Sequence, residues 1–186
     1  MKIKYTIERN DDTPDPIRDY PDWYSTLVTA HRRYSIGHQA FGTAEGIQRY
    51  EAEHERVIAQ AKLEGLYRLV YLYDHSGLAL SLDQKPDTWV YRDWDSGCLG
   101  FIYIDYFAAI EKLGREPAPG ELDKILRQEF DCIAAYVEGD SFVLYAVETD
   151  EDGDPADDWN REPLAWGRFA EMEKIKAELE AGNKGA

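Results

Sequence analysis

Two short polar runs hold the residues whose types could do chemistry. Tyr71-Leu72-Tyr73-Asp74-His75-Ser76-Gly77 and Trp94-Asp95-Ser96-Gly97-Cys98-Leu99-Gly100-Phe101-Ile102-Tyr103 each place an Asp one or two residues before a Ser-Gly pair. Histidine is the side chain whose ordinary pKa lies near neutrality, so His75 is a candidate general base, with Asp74 or Asp95 as the carboxylate that orients it. Ser96 before Gly97 invites comparison with a nucleophile elbow. The Gly-x-Ser-x-Gly pattern is absent, however, and no helix is expected directly after it, which argues against a serine hydrolase. The same residue types also build turns, because Asp bonds its own backbone and Gly supplies positive φ. Two readings therefore stand side by side: rigid turns, or a His/Asp/Ser site.

His31-Arg32-Arg33-Tyr34 is the only basic cluster in the chain. It suits a salt-bridge set serving the neighbouring Asp-rich loop, or an anion or phosphate contact through a planar guanidinium fork. An enzymatic reading uses His31, Arg33, His75, Asp95 and Ser96, and it requires these five to converge in one pocket. Asp150-Glu151-Asp152-Gly153-Asp154 resembles a calcium loop only at first glance. Counted from Asp150, the positions that need Gly and Glu hold Pro155 and Arg161. His-Glu-x-x-His, Cys-x-x-Cys and phosphate-binding glycine loops are missing, so neither a metal nor a cofactor is expected. Cys98 and Cys132 make neither a disulfide framework nor a zinc site and are expected as buried small hydrophobes.

The elements that must position these residues follow from periodicity. Alternation predicts strands over 2–8, 66–73, 78–82, 101–104 and 141–148, with a short strand over 163–167. Helical spacing predicts a helix that Thr43 caps and Gly65 ends, then helices over 106–113, 121–137 and 169–180. Residues 10–22, 35–42, 83–88 and 150–160 read as loops, and residues 23–34 as a short strand or helix. The order predicts an α+β fold, a single domain over 1–186 with a mostly antiparallel sheet packed by three to four helices. The acidic loop 148–162 and the helix 168–181 belong to that domain.

The chain has 186 residues, 44% of them apolar and 13% aromatic, which is material for a packed core. Its 37 acidic residues against 21 basic ones leave a formal charge of -16. Residues 141–186 are the most acidic stretch, with 12 acidic against 5 basic residues. A field of this sign repels nucleic acid and anionic membrane and attracts basic surfaces. The N-terminus lacks a long apolar run and no stretch approaches a membrane span, so an intracellular, cytoplasmic protein without membrane contact is expected.

At His31–Tyr34, Tyr71–Gly77 and Trp94–Tyr103 the chain resembles a family of small acidic proteins associated with bacteriophages and mobile elements. Its members carry a His-Arg-Arg-Tyr-like segment, then Tyr-x-Tyr-x-His-Ser-Gly and Trp-Asp-Ser-Gly-x-x-Gly-Phe-Ile-Tyr. The likeness continues into Phe142–Val147 and Trp166-Gly167. One departure is Val90-Tyr91-Arg92-Asp93, where such proteins often have a Cys/Pro-containing stretch. The resemblance implies a phage context in a bacterial host cell rather than a particular reaction. Together with the charge, it leads to the expectation of a phage-encoded accessory protein that inhibits a host defence complex, of anti-CRISPR or antirestriction type. An acidic surface would mimic nucleic acid there. Its partner would be a defence protein or nucleoprotein with a basic nucleic-acid-binding surface, bound through Asp150, Glu151, Asp152, Asp154, Asp157 and Asp158, without direct nucleic-acid contact. The alternatives are a small enzyme, hydrolytic or nucleotide-directed, using the His/Asp/Ser residues above, or a non-catalytic interaction module.

Overall fold

The structure is a computed structural model, and it describes residues 2–9, 16–19, 22–75, 77–89, 95–149 and 161–183. The chain divides into two compact units, Asp15–Val137 and the pairing of Met1–Pro14 with Glu138–Ala186. The fold is α+β with mostly antiparallel pairing, as the alternation and helical periods predict; the strands are shared between two sheets.

In the segment Met1–Pro14 with Glu138–Ala186, strands β1 (Lys2–Arg9), β7 (Phe142–Thr149) and β8 (Arg161–Gly167) form an antiparallel sheet in the order β1-β7-β8. Helix α6 (Phe169–Asn183) covers it, with Met172 fully buried against Tyr5 and Leu144. The Arg168 guanidinium holds the α6 entry by reaching the Glu138 carboxylate at 2.6 Å and that of Asp140 at 3.3 Å.

The unit Asp15–Val137 begins with a helical turn, α1 (Pro16–Asp19). Its sheet has five strands in the order β3-β2-β6-β4-β5: β2 (Ser25–Ala30), β3 (Gln39–Phe41), β4 (Tyr67–Asp74), β5 (Leu78–Leu82) and β6 (Ser96–Ile104). Among the described residues only β2 and β3 run parallel. Helices α2 (Ala44–Glu53), α3 (Glu55–Leu63), α4 (Tyr106–Leu113) and α5 (Glu121–Glu138) complete it. Leu122, Leu126, Phe130, Ile133 and Ala134 recur at helical spacing on α5, and they share one buried cluster with Leu27, Val28, Val70, Phe101 and Ile102 of the sheet. Each of the Leu, Ile, Val and Phe side chains contributes about 1.5–3 kcal/mol by leaving water. The start of β2 is fixed from the helix: the Glu129 carboxylate accepts from the Tyr24 and Ser25 amides, both at 2.8 Å.

Several expectations are corrected. Residues 35–42 contain β3, because its backbone pairs with β2 although Gln39 and Ala40 are exposed. Residues 23–34 take the strand alternative, as β2, whereas four residues of the expected loop 10–22 form α1. The single helix expected after Thr43 breaks at His54, whose backbone N–H and ring Nδ1 both meet the Tyr50 carbonyl at 3.0 Å. β6 starts at Ser96 rather than Phe101, so Ser96-Gly97 opens a strand instead of forming a turn. The stops at Gly65 and Gly114 hold, both in the left-handed conformation that lacks a Cβ penalty (φ 70° and 67°).

Candidate active site

The Asp74–Gly77 segment does connect two strands. It links β4 to β5, and the His75 amide donates to the Gly77 carbonyl at 3.2 Å. β4 also pairs with β6, in a register that places Leu72 opposite Gly97 and Tyr73 opposite Ser96. The ladder continues one step further, with the Asp74 amide donating to the Asp95 carbonyl at 2.8 Å. Strand alternation therefore puts Leu72, Asp74, Asp95 and Gly97 on one face, and Tyr71, Tyr73, Ser96 and Cys98 on the other.

The opposite wall comes from the segment after β2. β2 pairs with β6 only as far as Thr29 opposite Gly100, where a Cβ would lie 2.0 Å from the Val28 carbonyl oxygen, so only glycine allows that approach. Beyond it, the chain stays with β3 and leaves β6. The His31 amide donates to the Phe41 carbonyl at 3.0 Å, and the buried Thr29 hydroxyl donates to the Ile36 carbonyl. The gap is a cleft of about 300 Å3 lined by His31, Arg33, Leu72, Asp74, Asp95, Ser96, Gly97, Cys98 and Leu99.

An ion pair and a histidine–carboxylate pair frame this cleft. The Arg33 guanidinium donates to Asp74, which also accepts from the Tyr34 hydroxyl at 3.2 Å. Arg33 lies over the Tyr34 ring at 5.3 Å, and His31 stacks on the same ring at 4.8 Å. The second pair is His75 Nδ1 with Asp95 Oδ2 at 3.0 Å. The hairpin tip is steadied by Tyr73, which stacks on Trp89 at 5.2 Å and touches the His75 ring.

These contacts set the tautomers. His75 Nδ1–H donates to Asp95 Oδ2, and in that tautomer the acceptor nitrogen of the ring is Nε2. His31 is the reverse: its Nδ1 accepts from the Arg33 amide at 3.3 Å, so the proton of its neutral ring sits on Nε2. Burial, then the Arg33 charge, hold the His31 pKa below the usual histidine value; Asp74 opposes them and Arg32 adds to them. The neutral form of His31 is thus a hydrogen-bond donor. Two carboxylates and one guanidinium line the cleft, so it favours uncharged or cationic ligands over phosphate.

Of the five residues singled out from sequence, His31, Arg33, Asp95 and Ser96 line this cleft, and His75 is hydrogen-bonded to a lining residue. Asp95, not Asp74, orients His75. The Ser96 side chain belongs by alternation to the face away from Asp74 and Asp95. Arg33 pairs with Asp74, and most of the Asp-rich loop 10–22 lies outside the described residues. Cys98 is exposed and Cys132 half-buried, which corrects the expectation of two buried thiols. Sequence reading missed Gly97 and Tyr34; a glycine inside a strand was the available signal, since it marks places where another group approaches closely. Asp150, Glu151, Asp152, Asp154, Asp157 and Asp158 lie outside the described residues. Among the described residues, no group of three or more His, Cys, Asp or Glu side chains could hold a metal ion, and no helix is long and apolar enough to cross a membrane. Comparison of the chain with family models, with curated proteins and with solved structures finds no match.

Proposed function

We propose that the protein is a small hydrolase acting on an uncharged or cationic acyl substrate, with His75 as general base. One observation carries this reading: the 3.0 Å contact between His75 Nδ1 and Asp95 Oδ2 at a cleft that also holds His31. Asp95 holds the tautomer in which Nε2 takes a proton from water as the water oxygen attacks the acyl carbon. The carbonyl electron pair moves to oxygen, where His31 Nε2–H is the available donor. Collapse breaks the bond to the leaving group, which receives the proton back from Nε2. The nucleophile is water, because alternation turns the Ser96 hydroxyl away from the carboxylate face.

The test is hydrolysis of p-nitrophenyl acetate by the wild type, His75→Ala and Asp95→Asn, with folding checked by circular dichroism. We expect kcat/KM to fall by about 10²–10⁴ in each variant. Equal turnover in all three proteins overturns the assignment.

A second reading is favoured by the net charge of -16. In it the chain is a phage-encoded inhibitor of a host defence complex that presents its carboxylates to a basic nucleic-acid-binding surface. Lysate capture should then be released by salt, and should be lost when Asp150, Glu151, Asp152, Asp154, Asp157 and Asp158 are changed to Lys. Capture that is indifferent to both removes this reading.

A further inference from the structure

The cleft borders an interrupted sheet. β4 pairs with β6 down to Ser96, whereas β2 pairs with it only down to Gly100. Gly97 and Cys98 therefore have β4 on one side, with Leu99 at the bulge that follows them, and on the other side the cleft with His31 and Arg33 across it. Among the described residues no strand lies along that second side. A strand with one unpaired edge is a template for an extended chain, whose amides and carbonyls complete the ladder. Gly97 adds room: a Cβ placed on it meets none of the described atoms within 4 Å. The two carboxylates, Asp74 and Asp95, outnumber the Arg33 guanidinium there and, in a chain of net charge -16, set the sign of what fits.

We propose that the cleft takes a short extended peptide segment, paired by its backbone with Gly97–Leu99 and directing a basic side chain toward Asp74 and Asp95. This rests on the hydrolytic reading above and names its substrate class. The bond cleaved would be a peptide bond: water adds at the carbonyl carbon, the C–N bond breaks, and the amine leaves with the proton returned by His75.

Fluorescence anisotropy with a labelled Ala-Ala-Lys-Ala-Ala peptide tests this on the wild-type protein. We expect saturable binding that weakens at least about tenfold when alternate amides are N-methylated, and again when Lys is replaced by Glu, since each change removes at least one hydrogen bond or charge contact. Gly97→Phe, with folding confirmed by circular dichroism, should weaken it at least as much. Equal binding of the N-methylated peptide, or no saturable binding of the parent peptide, overturns the proposal. The p-nitrophenyl acetate assay separates the two claims. Ester turnover that depends on His75 without peptide binding removes the peptide inference alone. Peptide binding through the amides, with ester turnover indifferent to His75, removes the hydrolytic reading alone.

Discussion

Asp74 and Asp95 face each other across the end of the β4–β6 ladder, the amide of one donating to the carbonyl of the other at 2.8 Å, and each carboxylate carries its own cationic or protonatable partner. Arg33 serves Asp74 and His75 serves Asp95. Like charges directly opposite on a sheet repel. The arrangement persists because the hairpin tip and the segment after β2 each bring a partner to it.

Replacing Arg33 with Gln removes the cationic partner of Asp74 while Asp95 stays beside it. Arg33 is 57% exposed, so water shares the compensation and the loss of stability should be small, about 0.5–1 kcal/mol. Urea unfolding at low and high salt checks this, with the difference shrinking as salt rises. A loss that does not respond to salt contradicts the electrostatic account.

Gly100→Ala should be far more costly. Its Cβ would lie 2.0 Å from the Val28 carbonyl oxygen and 2.9 Å from the Thr29 Cα, both backbone atoms. We expect a loss of about 3 kcal/mol or more, because β2 must be pushed off β6. Gly97→Ala, which meets nothing, should stay within about 0.5 kcal/mol in the same denaturation experiment.

The elements bearing these residues were largely readable from sequence. Alternation exposed β4, β5 and β7, and helical spacing exposed α5, because in each case one face is buried and the pattern has a clear period. The start of β6 was hidden: Ser96 and Gly97 have turn-forming side chains, yet pairing with β4 overrides that preference. β3 was hidden for the same reason, as a three-residue edge strand carries no period. In the site, the residue types were legible and their pairing was not. Nothing in the spacing distinguishes Asp74 from Asp95 as the partner of His75; the β4–β6 register decides it.

Acid should act through Glu121. Its carboxyl is lowered to about 2, first by the hydrogen bond from Arg115 and then by the Ala118 amide. A depressed carboxylate stabilises the fold above its unfolded value near 4.5, and that contribution is lost as pH falls toward 2. His31 adds a loss in the same direction, since its pKa is lowered on folding and stability declines as pH drops below about 6.5. Thermal melts of Glu121→Gln and His31→Gln from pH 7 to pH 3 should show shallower acid slopes than the wild type, below pH 5 and below pH 7 respectively. Parallel curves contradict these assignments.

Leu126→Ala should cost about 2–5 kcal/mol, because Leu126 is fully buried in the cluster that supports the sheet, whereas Leu63→Ala, 80% exposed, should change little.

His75, held by Asp95 beside the cleft, is the proposed general base. Chemical rescue tests it most directly: p-nitrophenyl acetate hydrolysis by His75→Ala, with and without added imidazole, beside the wild type. The account predicts turnover lost in the variant and partly restored by imidazole, beyond imidazole's own background, with no comparable gain in the wild type. Undiminished turnover in His75→Ala, or an imidazole effect equal in both proteins, would contradict it.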